Sequence, residues 1–442
     1  MKSVAVLAVA ALAPAINAQG ALYQQCGGIG FSGSTSCVSG AYCSKINDSA
    51  SSAAPPVATT LKTSATTGSP ATVTSAAPAD SSNPLKGKGF YANPYYASEI
   101  ISLASPSLVA AGSTALAAKA TNVATVGTFY WLDVRAKVPT IATFAKDVQK
   151  QNAAGANLVL PLVVYDLPER DCAALASNGE LSLANNGTAL YHDYIDQIAA
   201  QIKAFPDVTF LLVIVEPDSL ANLVTNTNVQ KCANAATAYK ELTTYAIKTL
   251  NMNNVVMYLD AGHAGWLGWT ANIEPAATLF ADLYKAAGSP KAVRGLATNV
   301  ANYNAWSIAT CPSYTQGNTN CDEKRYVNAI APLLTSKGFP AHFITDTGRN
   351  GVQPTQQQAW GDWCNVIGTG FGIRPSTSTD DPLLDAYVWV KPGGECDGTS
   401  DTTAVRYDAH CGLADALKPA PEAGSWFQAY FAQLLANANP AF

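Results

Sequence analysis

Apolar residues along this chain fall into two rhythms. Seven short, nearly unbroken runs of Val, Ile, Leu and aromatic residues cover Val126–Leu132, Leu158–Tyr165, Phe210–Val215, Val255–Leu259, Val293–Ala297, His342–Thr345 and Leu384–Val390. Continuous runs of this length predict strands buried on both faces, as in a parallel sheet. Between them lie stretches with helical spacing. Leu190, Tyr194, Ile198 and Ile202 recur every four residues, and similar patterns occupy about 230–250, 274–287 and 322–336. Strands alternating with helices over this length predict a parallel α/β fold. Seven runs favour a (β/α) barrel one strand short of eight.

The pattern fails outside that region. Residues 49–82 are almost wholly Ser, Thr, Ala, Pro and Val with no aromatic, so they cannot build a core and read as an extended, O-glycosylated linker. They separate a small module at 19–48 from one large domain at 83–442. Residues 1–18 read as a secretory signal, with Lys2, an apolar stretch from Val4 to Ala15, and a small residue at Ala18. That stretch is too short to span a bilayer, and no later one is apolar enough. Secretion makes disulfides the expected fate of the ten cysteines. Three lie in the small module and seven in the large domain, so each group leaves one thiol over. Asn47 and Asn186 begin Asn-x-Ser/Thr sequons.

The ends of the apolar runs carry the chemistry. The residues that follow them are Asp133, then Asp166 and Asp171, then Glu216 and Asp218, Asp260, Asn299, Asp346, and Lys391 with Glu395. In a parallel α/β enzyme the site is built at strand C-termini. Asp166, Asp171, Glu216 and Asp218 are therefore expected at one rim. Mutual repulsion there would keep one of them protonated, as a general acid requires. The plainer alternative is helix caps and surface charges. Trp131, Trp266, Trp269 and Trp363 fall in or beside the same loops, where indoles stack on the flat faces of sugar rings; core packing is the competing role, above all for Trp131. Only 13% of residues are charged and the net charge is -5, which suits a neutral substrate and argues against nucleic acid.

Several stretches resemble glycoside hydrolase family 6, the inverting cellobiohydrolases and endoglucanases. They are Val163–Cys172, Leu212–Ala221, Asp260–Trp269, Ala297–Asn304, Gly361–Arg374 and Lys391–Asp401, so the likeness spans nearly all of 83–442. The resemblance implies a distorted barrel with tunnel-forming loops, roughly Cys172–Tyr191 and Lys391–Gly424. It implies Asp218 as the general acid, Asp171 as its carboxylate neighbour, and Tyr165 as a residue that holds the reacting ring distorted. For the base it implies Asp397 or, alternatively, a water chain near Ser177. Trp131, Asp133, His263, Trp266, Asn302, Trp363, Lys391 and Glu395 match sugar-binding positions, and Asp260 and Trp269 join them as candidates. Cys172–Cys232 and Cys364–Cys411 match the family's disulfides. Cys311–Cys321 is inferred from proximity, which leaves Cys396 unpaired. The module at 19–48 resembles the fungal family 1 cellulose-binding module. It departs after Cys43, where Ser44-Lys-Ile-Asn-Asp-Ser replaces two adjacent Tyr and a fourth Cys. Tyr23 alone of three stacking aromatics remains, Cys26–Cys43 is the pair that can form, and weak binding follows.

Other chemistries find no support. Gly368-Thr-Gly-Phe-Gly does not sit at a strand–helix turn, the four His lack metal-ligand spacing, and no Gly-x-Ser-x-Gly elbow occurs. The expectation is a secreted, monomeric cellulase without metal or cofactor. It would bind cellulose and cello-oligosaccharides, hydrolyse β-1,4-glucan with inversion and release cellobiose from non-reducing chain ends. An endoglucanase of the same family and a non-catalytic glucan-binding protein are the alternatives.

Overall fold

A computed structural model describes residues 25–27, 42–47, 50–54 and 82–442, except Val215. It divides into two units, Met1–Ala77 and Pro78–Phe442. In the first, β1 (Gln25–Gly27), β2 (Tyr42–Asn47) and β3 (Ala50–Ala54) form an antiparallel sheet in the order β1-β3-β2. β3 lies in the stretch read as linker. It pairs with β2 through the register Cys43 to Ala53. The leader at 1–18, Tyr23, Cys37 and most of the linker lie outside the described residues, as do the side chains of Cys26, Cys43 and Asn47.

The second unit holds the parallel sheet. Its strands are β4 (Gly89–Phe90), β5 (Tyr130–Leu132), β6 (Leu158–Val164), β7 (Thr209–Ile214), β8 (Val255–Asp260), β9 (Val293–Thr298), β10 (His342–Asp346) and β11 (Leu384–Val388). Each of the seven expected runs is a strand. The added strand, β4, has two residues and no periodicity to betray it. The order is β11-β10-β9-β8-β7-β6-β4, with β5 also on β6. β4 pairs with the start of β6 and β5 with its end. Between β5 and β11 there is no ladder. Phe129 N–H donates to Trp389 O at 3.1 Å and Trp131 Nε1 to Val390 O at 2.8 Å. The barrel is distorted at this seam.

Among the described residues ten α-helices accompany the strands: α1 (Pro94–Glu99), α2 (Ser105–Ala110), α3 (Thr114–Val123), α4 (Thr140–Ala153), α5 (Gly187–Lys203), α6 (Ser219–Thr225), α7 (Gln230–Thr249), α8 (Thr270–Ala286), α9 (Glu323–Ser336) and α10 (Gln428–Ala436). The four helical patterns correspond to α5, α7, α8 and α9. Strand alternation splits the core in two. Val159, Val163, Leu211, Val213, Ile344, Ala386 and Val388 fill the barrel. Leu160, Leu162, Phe210, Leu212, Met257, Leu259 and Phe343 meet the helices outside. Disulfides join Cys172–Cys232, Cys311–Cys321 and Cys364–Cys411, and Cys396 is a buried free thiol. Among the described residues no helix is long and apolar enough to cross a membrane.

Candidate active site

At the C-terminal ends of the strands lies a cavity of about 450 Å³. The backbone around it is strained. Glu169, Asp171, Glu216, Asp218, Asn299 and Ala301 all have φ between 53° and 76°, a region that non-glycine residues enter at a cost and that gathers at functional sites. These turns follow β6, β7 and β9 directly, so each strand end is bent sharply to aim its next side chain.

The two strand-end motifs meet here. Tyr165, one residue past β6, donates its hydroxyl to Asp171 Oδ1 at 3.1 Å. Its ring lies between Trp131, edge-on at 5.0 Å, and the Arg170 guanidinium at 4.1 Å. Arg170 also donates to Ser177 O, Asp133 O and Tyr165 O, tying the ends of β5 and β6 to the next loop. Asp218 faces the same cavity. Its carboxyl has no hydrogen-bond partner among the described residues, and its backbone N–H donates to Asp260 Oδ2 at 3.0 Å.

The electrostatics separate the two carboxyls. Burial and the negative charges of Asp260 and Asp171 push Asp218 well above the carboxylate range, and nothing pulls it back. Burial also raises Asp171, but Arg170, the Tyr165 hydroxyl, Lys231 and the Ser177 N–H all oppose the rise. Of the two, Asp218 is the carboxyl whose surroundings favour the proton more, and Asp171 the one whose surroundings favour the charge more.

Sugar-binding candidates line the same cavity: Trp131, Asp133, His263, Trp266, Asn302, Trp363, Lys391 and Glu395, together with Ser177 and Asp397. Burial pushes His263 down to about 4, so it is neutral. Asn304 Nδ2 donates to its Nδ1, and Trp360 Nε1 on Asn304 Oδ1 orients that amide, so the imidazole proton sits on Nε2. The Trp266 indole N–H donates to Thr225 Oγ1, and Lys391 Nζ stands 5.7 Å from the Trp131 ring. Burial lifts Glu395 to about 7.

Four expectations need correction. Asp166 and Glu216 do not share the rim: both are fully buried behind it, and Glu216 accepts from the N–H groups of Asp166 and Leu167. Asp260 is a support rather than a sugar ligand, since its Oδ2 accepts from the N–H of Asp218 and of Gly262. Trp269 lies off the cavity wall. Its indole N–H donates to Gly265 O, and its ring packs edge-on to Trp360. Asn299 and Asp346 likewise bond loop backbone. A strand-end polar group near strained turns meets orphaned backbone N–H and C=O groups first, and their demand is obligatory when buried.

Asp397 is committed as well. Both its oxygens accept from Arg349 at 2.7 Å, and Oδ2 also accepts from the Tyr303 hydroxyl and the Asn365 N–H. Sequence reading missed Tyr95, Asn222, Asn226, Arg406 and His410 on the wall. They stand on helices and loops away from strand ends, without a local motif. The two long loops meet there: Leu175 N–H donates to Asp408 Oδ2 at 3.1 Å, and Asp408 also binds His410, whose ring lies 5.5 Å from Trp363.

Comparison with known proteins settles the kinship. Residues 85–438 match the model for glycosyl hydrolases family 6. The chain belongs to that family. Residues 22–49 match the fungal cellulose binding domain. The 1,4-beta-D-glucan cellobiohydrolase C of Emericella nidulans is 63% identical over 453 residues, covering 99% of this chain and 98% of that one. Exoglucanase 3 of Agaricus bisporus is 54% identical over 446 residues, covering 100% and 99%. Among solved structures, the catalytic core of a Chaetomium thermophilum cellobiohydrolase superposes with a TM-score of 0.79 at 63% identity, over 81% of this chain and 99% of that one. Cellobiohydrolase II of Humicola insolens, in complex with glucose and cellotetraose, gives 0.80 at 59%, over 82% and 100%. Membership in the family makes the Asp171–Asp218 cavity the place to look for glycoside hydrolysis.

Proposed function

We propose that this protein is a secreted cellobiohydrolase that hydrolyses cellulose with inversion and releases cellobiose from non-reducing chain ends. The observation that carries the reading is the Asp218 carboxyl, which has no hydrogen-bond partner among the described residues and which burial pushes toward its protonated form, facing with Asp171 a cavity walled by Trp131, Trp266 and Trp363. Asp218 gives its proton to the glycosidic oxygen as the C1–O bond breaks. Tyr165 supports the distorted ring, and Asp171 offsets the positive charge that develops on it. A water attacks C1 from the opposite face. Asp397 is the poorer acceptor for that water's proton, since the buried Arg349 guanidinium pairs with both its oxygens and Tyr303 and Asn365 also donate to Oδ2. A water relay past Ser177, which lines the cavity near Asp171, is the better route, with the Asp171 carboxylate as the final acceptor of the proton. Two joined loops favour threading a chain end over internal cutting.

The test is the anomeric form of fresh product from a soluble cello-oligosaccharide, followed by NMR. The α-anomer should appear before mutarotation. A β-anomer first would require a covalent intermediate and defeat the reading.

A further inference from the structure

Lys231 stands in the first turn of α7, where the helix dipole is positive and acidic residues are favoured. That turn has neither a capping side chain nor an acid, and burial pulls the ammonium below its usual range. A cation kept against such opposition is held by something else. Its Nζ donates to Arg170 O at 3.1 Å, Asp171 O at 3.3 Å and Asn178 Oδ1 at 2.7 Å. Two of these acceptors flank the left-handed turn at Asp171, and the third lies past Ser177 at the far end of the same loop segment. The next residue, Cys232, is bonded to Cys172. One turn of α7 therefore grips the loop twice, once covalently and once through the ammonium.

We propose that Lys231 is a positioning residue for the catalytic pair: it holds the strained Arg170–Asp171 turn and the Ser177–Asn178 segment together, and so fixes where the Asp171 carboxylate points relative to Asp218. The proposal rests on the reading of Asp171 and Asp218 as the catalytic carboxyls. Around Asp171 the titratable and charged groups are Arg170 and Tyr165 from the β6 end, Asp218 from the β7 end, and Lys231 and Tyr239 from α7; Glu169 faces Lys231. Removing the ammonium takes one of the cations from Asp171.

Lys231→Met, Lys231→Arg and Asn178→Ala in the full chain make the test, on soluble cello-oligosaccharides. Lys231→Met should lower kcat about tenfold, one pKa unit's worth of differential stabilisation, with KM little changed. The acidic limb of kcat/KM should move up by roughly half a unit to one unit, because a lost neighbouring cation favours the protonated carboxyl. Lys231→Arg should recover most of both. Asn178→Ala should move kcat the same way by less, and it serves if Lys231→Met does not fold. A purely structural role would lower Tm while leaving kcat and the pH profile untouched in the folded variants, and that result overturns the proposal. Asp171→Ala and Asp218→Ala run alongside: if they stay active, the catalytic reading itself has failed.

A second observation stands apart from the site. Asn186 of the Asn-Gly-Thr sequon is exposed in a left-handed turn at φ 60°, its side chain makes no capping bond, and Thr188 is exposed too. We infer that Asn186 carries an N-linked glycan at the end of the first long loop. This rests on the proposed secretion. For chain recovered from the medium of a fungal host, the peptide containing Asn186 should show enzymatic deglycosylation to Asp, and Asn186→Gln should remove that mass. An unmodified Asn186 peptide in secreted chain overturns the inference; chain that never reaches the medium counts against secretion instead.

Discussion

Single side chains at the strand ends divide into those that face the cavity and those that hold the backbone around it. Asp218 belongs to the first kind. Asp218→Ala should cut turnover on unactivated glucan by roughly 10²–10⁴-fold, the usual reach of general acid catalysis, and by less on substrates with good leaving groups. Near-normal cellulose hydrolysis by that variant would remove Asp218 from the role. Asp397 does both: it lines the cavity and pairs with Arg349, which is only 1% exposed. Asp397→Ala should lower the unfolding free energy by about 3–5 kcal/mol, because it strands a buried guanidinium. Denaturant titration reads this, and an inactive variant of unchanged stability would restore Asp397 as the base. Tyr165, Asp171 and Asp218 were legible as strand-end residues of specific motifs. That Asp166, Glu216 and Asp260 turn inward was not, because strained turns decide which of two neighbouring carboxylates faces solvent.

At the scale of elements, the strands and long helices follow from hydrophobic period, and β4 escapes because two residues have none. The loops behave differently. Cys172–Tyr191 and Lys391–Gly424 have little period, yet they close the cavity through the Leu175–Asp408 bond and are tethered by Cys172–Cys232 and Cys364–Cys411. Replacing Cys364 and Cys411 by Ser should loosen the second loop and raise internal cutting of carboxymethylated cellulose. The readout is viscosity loss per reducing end released. An unchanged ratio would mean that these loops do not set exo action.

For the molecule as a whole, pH should act through buried carboxyls. Glu216, Asp260, Glu323 and Glu395 are raised to about 7, Glu99 to about 8 and Asp166 to about 9, each chiefly by burial. The folded chain thus holds protons that the unfolded chain has released above its ordinary carboxylate range. Their contribution is complete only below the unfolded carboxylate range, about 4, and is lost progressively as pH climbs from there through about 7 to 9. Tm should fall along that climb, and a rise would contradict it. Deleting residues 19–82 should change adsorption to crystalline cellulose little, since two missing stacking contacts of about 1–3 kcal/mol each weaken the module at least about tenfold; a large drop would show a working module. The sequence by itself determined the α/β class and the seven strands, because hydrophobic period is local; the pairings Cys172–Cys232 and Cys364–Cys411 and the proposed catalytic pair came from the family resemblance of its motifs, and Cys311–Cys321 from proximity along the chain. Only the tertiary structure decided that the Asp218 carboxyl has no hydrogen-bond partner among the described residues, that Arg349 pairs with Asp397, and that Lys231 reaches back to the Asp171 turn. These depend on which groups meet across sequence separations of 48 to 60, and buried polar groups bind whatever the fold brings nearest.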